Sequence, residues 1–268
     1  MTVSLIISTY NWPNALLLSL QSVEKQTIKP NEIIIANDGS NEETNQVIER
    51  FIKKSTIPIQ HIWQEDIGFR LALIRNKAIA KSKYDYIIQI DGDIILHDNY
   101  IKDHIYYAAK NTFLTGPRVL LSAETTQLTL INNNIKFTPF SKKIKNRLNA
   151  VHFPIINKFI NAKNSPAEKL IFTVRGCNMS FWRKDLIEIN GYDENFTTWG
   201  REDSEITSRL FKKGLSLKKL RLAGIQYHLY HHEQDKNFLE VNNKILEKNK
   251  STHTFWCSDG IVKKMTDI

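Results

Sequence analysis

The stretch Tyr84-Asp-Tyr-Ile-Ile-Gln-Ile-Asp-Gly-Asp-Ile-Ile-Leu-His-Asp98 reads as an apolar strand running into Asp91-Gly92-Asp93. Unpaired buried charge is costly, so a buried strand that ends in two carboxylates implies a partner for them. Two Asp flanking a Gly offer hard oxygen ligands and leave a ligand room to approach. Oxygen ligation of that kind suits Mg²⁺ or Mn²⁺ holding a diphosphate. The competing reading is a plain turn, because Asp-Gly is common turn chemistry.

Upstream of this stretch, strands and helices alternate. Val3 to Ser8 is a short β-branched run, hence a buried strand, and it ends in Ser8-Thr-Tyr-Asn11. Pro13 starts a helix, with Leu16, Leu20 and Val23 on one face. Glu32 to Ala36 is a second strand, ending in Asn37-Asp-Gly-Ser40; Ser40 with Glu43 fits a capping box for the helix whose stripe is Val47, Ile48 and Phe51. Ile57 to Trp63 is a third strand, and Leu71 to Ser82 a helix carrying Arg75-Asn76. This spacing predicts βαβ units and a parallel sheet, whose ligands bind outside the carboxyl ends of the strands. Three polar clusters, at Ser8–Asn11, Asn37–Ser40 and Asp91–Asp93, sit at such ends. No glycine-rich phosphate loop of the dinucleotide or Walker type is present.

Downstream, Asn99 to Lys110 reads as helix and Thr112 to Gly116 as a short strand. From Arg118 to Lys169 the pattern weakens into an insertion or flap with a basic cluster at Lys142, Lys143, Lys145 and Arg147. Ile171 to Trp182 is a strand broken at Gly176, and a helix follows Thr197 and ends near Gly214. Leu217 to Leu222 is a further strand, and the tail from Gln234 is helical and charged. Glu202-Asp203 falls in the first turn of its helix, where the dipole keeps carboxylates ionised. One of them can then serve as a general base. Simple helix capping is the alternative. Trp199-Gly200 beside the pair is the material of a sugar-binding wall. His228, His231 and His232 follow an apolar run, and His228 is best placed to join Asp93 on a divalent ion; the spacing is not a zinc pattern. Arg75 reads as a phosphate or base contact, or as a surface residue, and Asp38 as a nucleoside acceptor or a turn cap.

The chain has 268 residues, 41% hydrophobic, with a net charge of +9. That supports one large cored domain attracted to anions. Cys177 and Cys257 form no disulfide framework, which points to a reducing compartment. The start Met1-Thr-Val-Ser-Leu-Ile-Ile lacks a basic leader, so a cytoplasmic location is expected, with the basic surface resting on an anionic inner membrane face.

Ile7-Ser-Thr-Tyr-Asn11, Asn37-Asp-Gly-Ser40, Arg75-Asn76, Asp91-Gly-Asp93 and Trp199-Gly-Arg-Glu-Asp203 occur in this order. Together they resemble the family 2 glycosyltransferases with the GT-A fold. Gly176 through His228 is similar to the carboxyl-terminal region of galactosyltransferase-like and chondroitin-polymerase-like enzymes. The resemblance implies an α/β GT-A domain, a Rossmann-like, mostly parallel sheet flanked by helices, with a mid-chain insertion. Residues 1–116 would be the nucleotide-sugar-binding half and 117–170 the variable insertion. Residues 171–232 would be the acceptor-binding and catalytic half, and 233–268 a helical tail. The implied reaction is metal-dependent and inverting. It moves galactose, N-acetylgalactosamine or glucose from a UDP-sugar to an oligosaccharide or lipid-linked acceptor of a surface polysaccharide or lipopolysaccharide. Carried over residue by residue, Thr9 and Asp38 contact uridine with Arg75 near the base, and Asp91 faces the ribose or metal. Gly176 belongs with the nucleotide-sugar site. Asp93 and His228 bind Mn²⁺ or Mg²⁺. Asp203 is the base, Glu202 holds hydroxyls, and Trp199 lines the acceptor site. Asn37 departs from the Asp often found there.

Three other classes fit parts of the sequence. A nucleotide-sugar binder without transfer activity has no need of Glu202-Asp203. Metal-dependent phosphohydrolases usually gather more carboxylates around two ions. Nucleic-acid binding would account for the charge but leaves the strand-end carboxylates unexplained, so no nucleic-acid partner is expected.

Overall fold

The computed structural model describes residues 1–157, 167–232 and 239–263. The chain begins β1 (Val3–Thr9), α1 (Pro13–Glu24), β2 (Glu32–Asn37), α2 (Glu42–Ile52), β3 (Ile59–Trp63), α3 (Leu71–Lys81), β4 (Tyr86–Asp91), β5 (Ile94–Leu96), α4 (Tyr100–Tyr107) and β6 (Thr112–Thr115). It continues with β7 (Val119–Leu121), α5 (Ala123–Asn132), β8 (Ile144–Lys145), α6 (Ala167–Leu170), β9 (Met179–Trp182), α7 (Arg183–Glu188), α8 (Glu202–Lys212), β10 (Ser216–Lys219), β11 (Gln226–His228) and α9 (Leu239–Ser251).

Seven strands form one sheet in the order β10-β6-β9-β4-β1-β2-β3. All its pairings are parallel except those of β9, which is antiparallel to β4 and β6. Alternation along the strands divides the core between the two faces. Leu5, Ile7, Ile33, Ile35, Ile88 and Ile90 pack on Leu16, Leu20 and Val23 of α1 and Ile48 of α2. Ile6, Ile34 and Ile87 pack on the other side against Ile74, Ala78 and Ile79 of α3 and Ile206 and Leu210 of α8. The strands are apolar on both faces because helices cover both.

The opening stretch holds its strand where expected, running into Asp91-Gly92-Asp93. β4 ends at Asp91, and β5 belongs to a second, four-stranded sheet in the order β5-β11-β7-β8. The expected flap also has structure: β7, α5 and β8 lie within it, and Val119, Leu121 and Ile144 join a core with Ile95 and Tyr227. Its two- and three-residue strands carry too little periodicity to read from sequence.

Other expectations shift. Asn41, not Ser40, caps α2, accepting from the Thr44 N–H at 3.2 Å. Ser40 is buried and accepts from the Asn11 N–H instead. The strand expected over Ile171–Trp182 is confined to Met179–Trp182, after a 3₁₀ turn at Gly176–Asn178. Strand β10 stops at Lys219, β3 starts at Ile59, and the helix after Asn99 ends at Tyr107. The tail helix runs over Leu239–Ser251; its expected start at Gln234 lies outside the described residues. Among the described residues no helix is long and apolar enough to cross a membrane.

Candidate active site

Because β1, β2 and β4 are parallel neighbours, Thr9, Asn37 and Asp91 emerge at one edge of the sheet. The Thr9 carbonyl accepts from the Asp38 N–H at 3.0 Å, which ties the first two polar clusters together. The Asp38 carboxylate is buried and accepts from Gln64 at 2.5 Å and the Arg70 N–H at 3.0 Å. Burial raises its pKa against the pull of those two bonds.

Arg75 is not a surface residue: it is 1% exposed and joins carboxylates from distant parts of the chain. Its Nη2 donates to Asp91 Oδ1 at 3.0 Å and its Nη1 to Asp203 Oδ1 at 3.1 Å. Glu202 Oε1 lies 3.9 Å from Nη1, and Nε reaches Ser8 Oγ at 3.3 Å. A guanidinium keeps its charge at any depth, so Arg suits a buried hub where Lys would lose its proton.

Two features set the position of Asp203. Gly200 and Arg201 take left-handed backbone, φ +100° and +79°, so the chain turns sharply into α8 and presents Glu202 and Asp203 in its first turn. Gly176 then donates its N–H to Asp203 Oδ2 at 2.7 Å. A Cβ at Gly176 would lie 2.3 Å from Asp203 Oδ1, so glycine is what permits this approach. Asp203 keeps lone pairs free on both oxygens after these two bonds. The expectation that both carboxylates stay ionised fails for Glu202. Burial, then the neighbouring Asp203 charge, pushes its pKa up to about 8, overriding Arg75 and the helix terminus.

Asp93 lies two residues beyond the end of β4. The antiparallel register sets His228 opposite Ile94, and the Leu229 N–H donates to the Asp93 carbonyl at 3.0 Å. This brings Asp93, His228 and His231 together, with one potential ligand atom from each all within 4.8 Å. The Nδ1 atoms of His228 and His231 face the carbonyls of Leu229 and His232 at 2.7 and 2.8 Å. A carbonyl only accepts, so each Nδ1 carries hydrogen. Both Nε2 atoms then point at Asp93 Oδ2, at 3.6 and 3.3 Å. Asp93 Oδ1 is buried without a hydrogen-bond partner. One orphaned carboxylate oxygen beside two imidazole nitrogens is a donor set that fits a divalent cation, with open positions left for oxygen ligands. His231 is the addition to the expected pair Asp93 and His228.

The family model described as "Glycosyl transferase family 2" matches residues 4–181, more than half of the chain. The chain belongs to glycosyl transferase family 2. A second model, "N-terminal domain of galactosyltransferase", matches residues 162–232. The chondroitin synthase of Escherichia coli is 28% identical over 239 residues, covering 84% of this chain and 34% of that protein. The hyaluronan synthase of Pasteurella multocida is 26% identical, covering 81% of this chain and 24% of that protein. This family 2 chain thus spans a minor part of the length of both. The crystal structure of S. aureus TarS 1-349 in complex with UDP superposes with a TM-score of 0.62 at 15% identity, over 93% of this chain and 65% of that one. The mannosyltransferase PcManGT from Pyrobaculum calidifontis, in complex with GDP-Man and Mn²⁺, gives 0.58 at 14% identity, over 90% and 60%. These two likenesses are of fold, and the fold is GT-A.

Trp199 stands at the rim of the crevice, 37% exposed. The family 2 motif gives no hint of what holds it. Asn242 of α9, itself buried, places Nδ2 at 3.1, 3.1 and 2.7 Å from the carbonyls of Thr198, Trp199 and Gly200. Arg201 Nε donates to Asn243 Oδ1 at 2.6 Å. An Asn-Asn pair in a charged helix carries no sequence signal for such a clamp.

Proposed function

We propose that this chain transfers galactose, N-acetylgalactosamine or glucose from a UDP-sugar to a hydroxyl of a surface polysaccharide or lipopolysaccharide acceptor, with inversion at the anomeric carbon. The observation that carries the reading is the pairing of two unlike sites at one sheet edge: Asp203 held by Arg75 and Gly176, and Asp93 with its orphaned oxygen beside His228 and His231.

Asp203 takes the proton of the acceptor hydroxyl as its oxygen attacks the anomeric carbon. The bond from that carbon to the diphosphate oxygen breaks on the opposite face, and UDP leaves. Arg75 keeps Asp203 oriented, so the base need not reorganise as the proton moves. Glu202, protonated below about pH 8, donates a hydrogen bond to a sugar hydroxyl. Asp93, His228 and His231 would hold Mn²⁺ or Mg²⁺, which supplies positive charge beside the departing diphosphate. Thr9 and Asp38 receive the uridine, Asp91 the ribose or the cation, and Trp199 offers a flat face to the acceptor. Arg75 reaches the nucleotide through Asp91 rather than by a free guanidinium.

The test is a thermal-shift and hydrolysis panel of nucleotide-sugars with and without Mn²⁺, run on wild type and Asp203→Asn. One UDP-sugar should stabilise both proteins in Mn²⁺, and only wild type should transfer. A general base contributes about 10²–10⁴-fold. Equal transfer rates would remove Asp203 from its role, and no response to any nucleotide would overturn the reading.

A further inference from the structure

We propose that a cavity at the carboxyl ends of β6 and β10 receives an acidic group, a carboxylate or a phosphate, carried by the acceptor saccharide. This rests on the transferase reading above and names the class of its acceptor.

The cavity has a volume of about 470 Å³, and Thr115, Asn149, Thr173, Lys219, Arg221 and Leu222 are among the residues that line it. It is cationic. Lys219 is half-buried, and burial followed by the positive charges of Arg221 and Arg175 lowers its pKa. Among the described residues neither Lys219 nor Arg221 pairs with a carboxylate, and Arg175, outside the lining, gives Nη1 to the carbonyls of Phe172 and Val174 at 3.3 and 2.7 Å. Arg221 is exposed beside half-buried Lys219, and a cleft lined by charge of one sign raises the local concentration of anions. An Arg beside a Lys suits a planar carboxylate or a phosphate, which accept two parallel bonds from a guanidinium.

The loop that presents them is fixed. Fully buried Asn157 accepts from the Arg221 N–H at 2.6 Å and donates to the Arg221 carbonyl at 2.5 Å. The Leu222 carbonyl accepts from the Phe153 N–H at 2.8 Å, and Leu222 is held at φ +54°, a conformation that costs a side chain energy unless its surroundings enforce it. Such pinning is the mark of a preorganised site, whose binding cost is lowered in advance.

The cavity also lies where an acceptor would run. β9 is antiparallel to both β4 and β6, so β6 and β10 end at the same sheet edge as Asp91. They stand two and three strands away in the sheet order. At strand spacing that is roughly 10–14 Å, a distance a short saccharide spans. Thr173 of the cavity wall lies three residues before Gly176, whose N–H holds Asp203, so a short stretch of chain connects the wall to the base.

The test uses the double variant Lys219→Gln/Arg221→Gln and three fluorescent oligosaccharide probes. One probe bears hexuronate, one bears phosphate, and one is the hexuronate probe with its carboxyls reduced to alcohols. Hydrolysis of the UDP-sugar without acceptor is read first. Its absence in wild type would sink the transferase reading by itself, whereas equal rates in wild type and variant show an intact donor site. Equilibrium binding of the probes then reads the cavity directly. Wild type should bind one acidic probe about tenfold or more above the neutral one, as expected for a charge-assisted pair. The variant should lose that preference and leave neutral binding unchanged. Whichever acidic probe wins names the source of the anion. Equal affinity of wild type for acidic and neutral probes, including no binding of any, overturns the proposal, as does a preference that survives in the variant.

Discussion

Asp203 depends on the absence of one methyl group. In Gly176→Ala the new Cβ would press within 2.3 Å of Oδ1 and 2.5 Å of Oδ2, so the carboxylate must swing away from the Gly176 N–H. On the proposed mechanism, displacing Asp203 forfeits the rate a general base supplies, about 10²–10⁴-fold, while Asp38 and Asp93, which do not touch Gly176, keep their bonds. The variant should therefore show a greatly lowered kcat with UDP affinity within a few fold of wild type; an unchanged kcat would mean that Asp203 tolerates the shift and is not positioned by this contact. Glu202 gives a second prediction at this scale. The folded protein holds its proton up to about pH 8, whereas the exposed group gives it up near 4.5. Over that window the folded state binds the extra proton, so this residue makes wild-type stability fall as pH rises from about 4.5 to about 8 and level off above. Glu202→Gln cannot titrate, so its melting temperature should gain on wild type steadily across the same window. Parallel melting curves from pH 5 to 9 would show that Glu202 is ionised throughout.

At the scale of elements, legibility followed length and local chemistry. β1, β2 and β4 are six- or seven-residue apolar runs with polar ends, and α1 opens on Pro13, so their places were evident. The second sheet was not, because β5, β7, β8 and β11 have two or three residues each and exist through pairing with distant strands. The α2 cap shifted by one residue because Ser40 and Asn41 both cap well, and Ser40 is taken by Asn11. Arg75 read as a phosphate or base contact, or as a surface residue, and not as a hub for carboxylates, since nothing near it in sequence announces the two that lie 16 and 128 positions away. The clamp from α9 was invisible for the same reason, and it carries its own prediction. Asn242→Ala leaves the carbonyls of Thr198, Trp199 and Gly200 without their donor. Losing such part-buried hydrogen bonds costs about 0.5–1.5 kcal/mol, and the Trp199 loop should loosen with it. The acceptor KM should rise several-fold with the donor KM nearly constant; a rise in donor KM alone would place the loop on the nucleotide side.

Charge acts on the whole molecule. The net charge of +9 is not spread evenly in effect, because many basic residues already have partners. In α9, Lys244 pairs with Glu240 and Lys250 with Glu247, at 3.2 and 2.8 Å, so the tail offers less free charge than its lysines suggest. Around β8, Lys142, Lys145 and Arg147 are exposed and, among the described residues, pair with no carboxylate, whereas Lys143 pairs with Glu124. That face is the better candidate for docking on an anionic membrane, where each basic residue near the surface contributes about 1 kcal/mol. Three free charges then favour anionic over zwitterionic vesicles by on the order of a hundredfold at low salt. Screening shortens the reach of these charges from about 30 Å at 0.01 M to about 3 Å at 1 M, so the preference should vanish at high salt. Vesicle sedimentation of wild type and a variant with Lys142, Lys145 and Arg147 changed to Gln separates the possibilities. Binding that is salt-sensitive and lost in the variant assigns docking to the β8 face, binding that survives in the variant moves it elsewhere on the surface, and no binding at low salt removes membrane docking from the account of this protein.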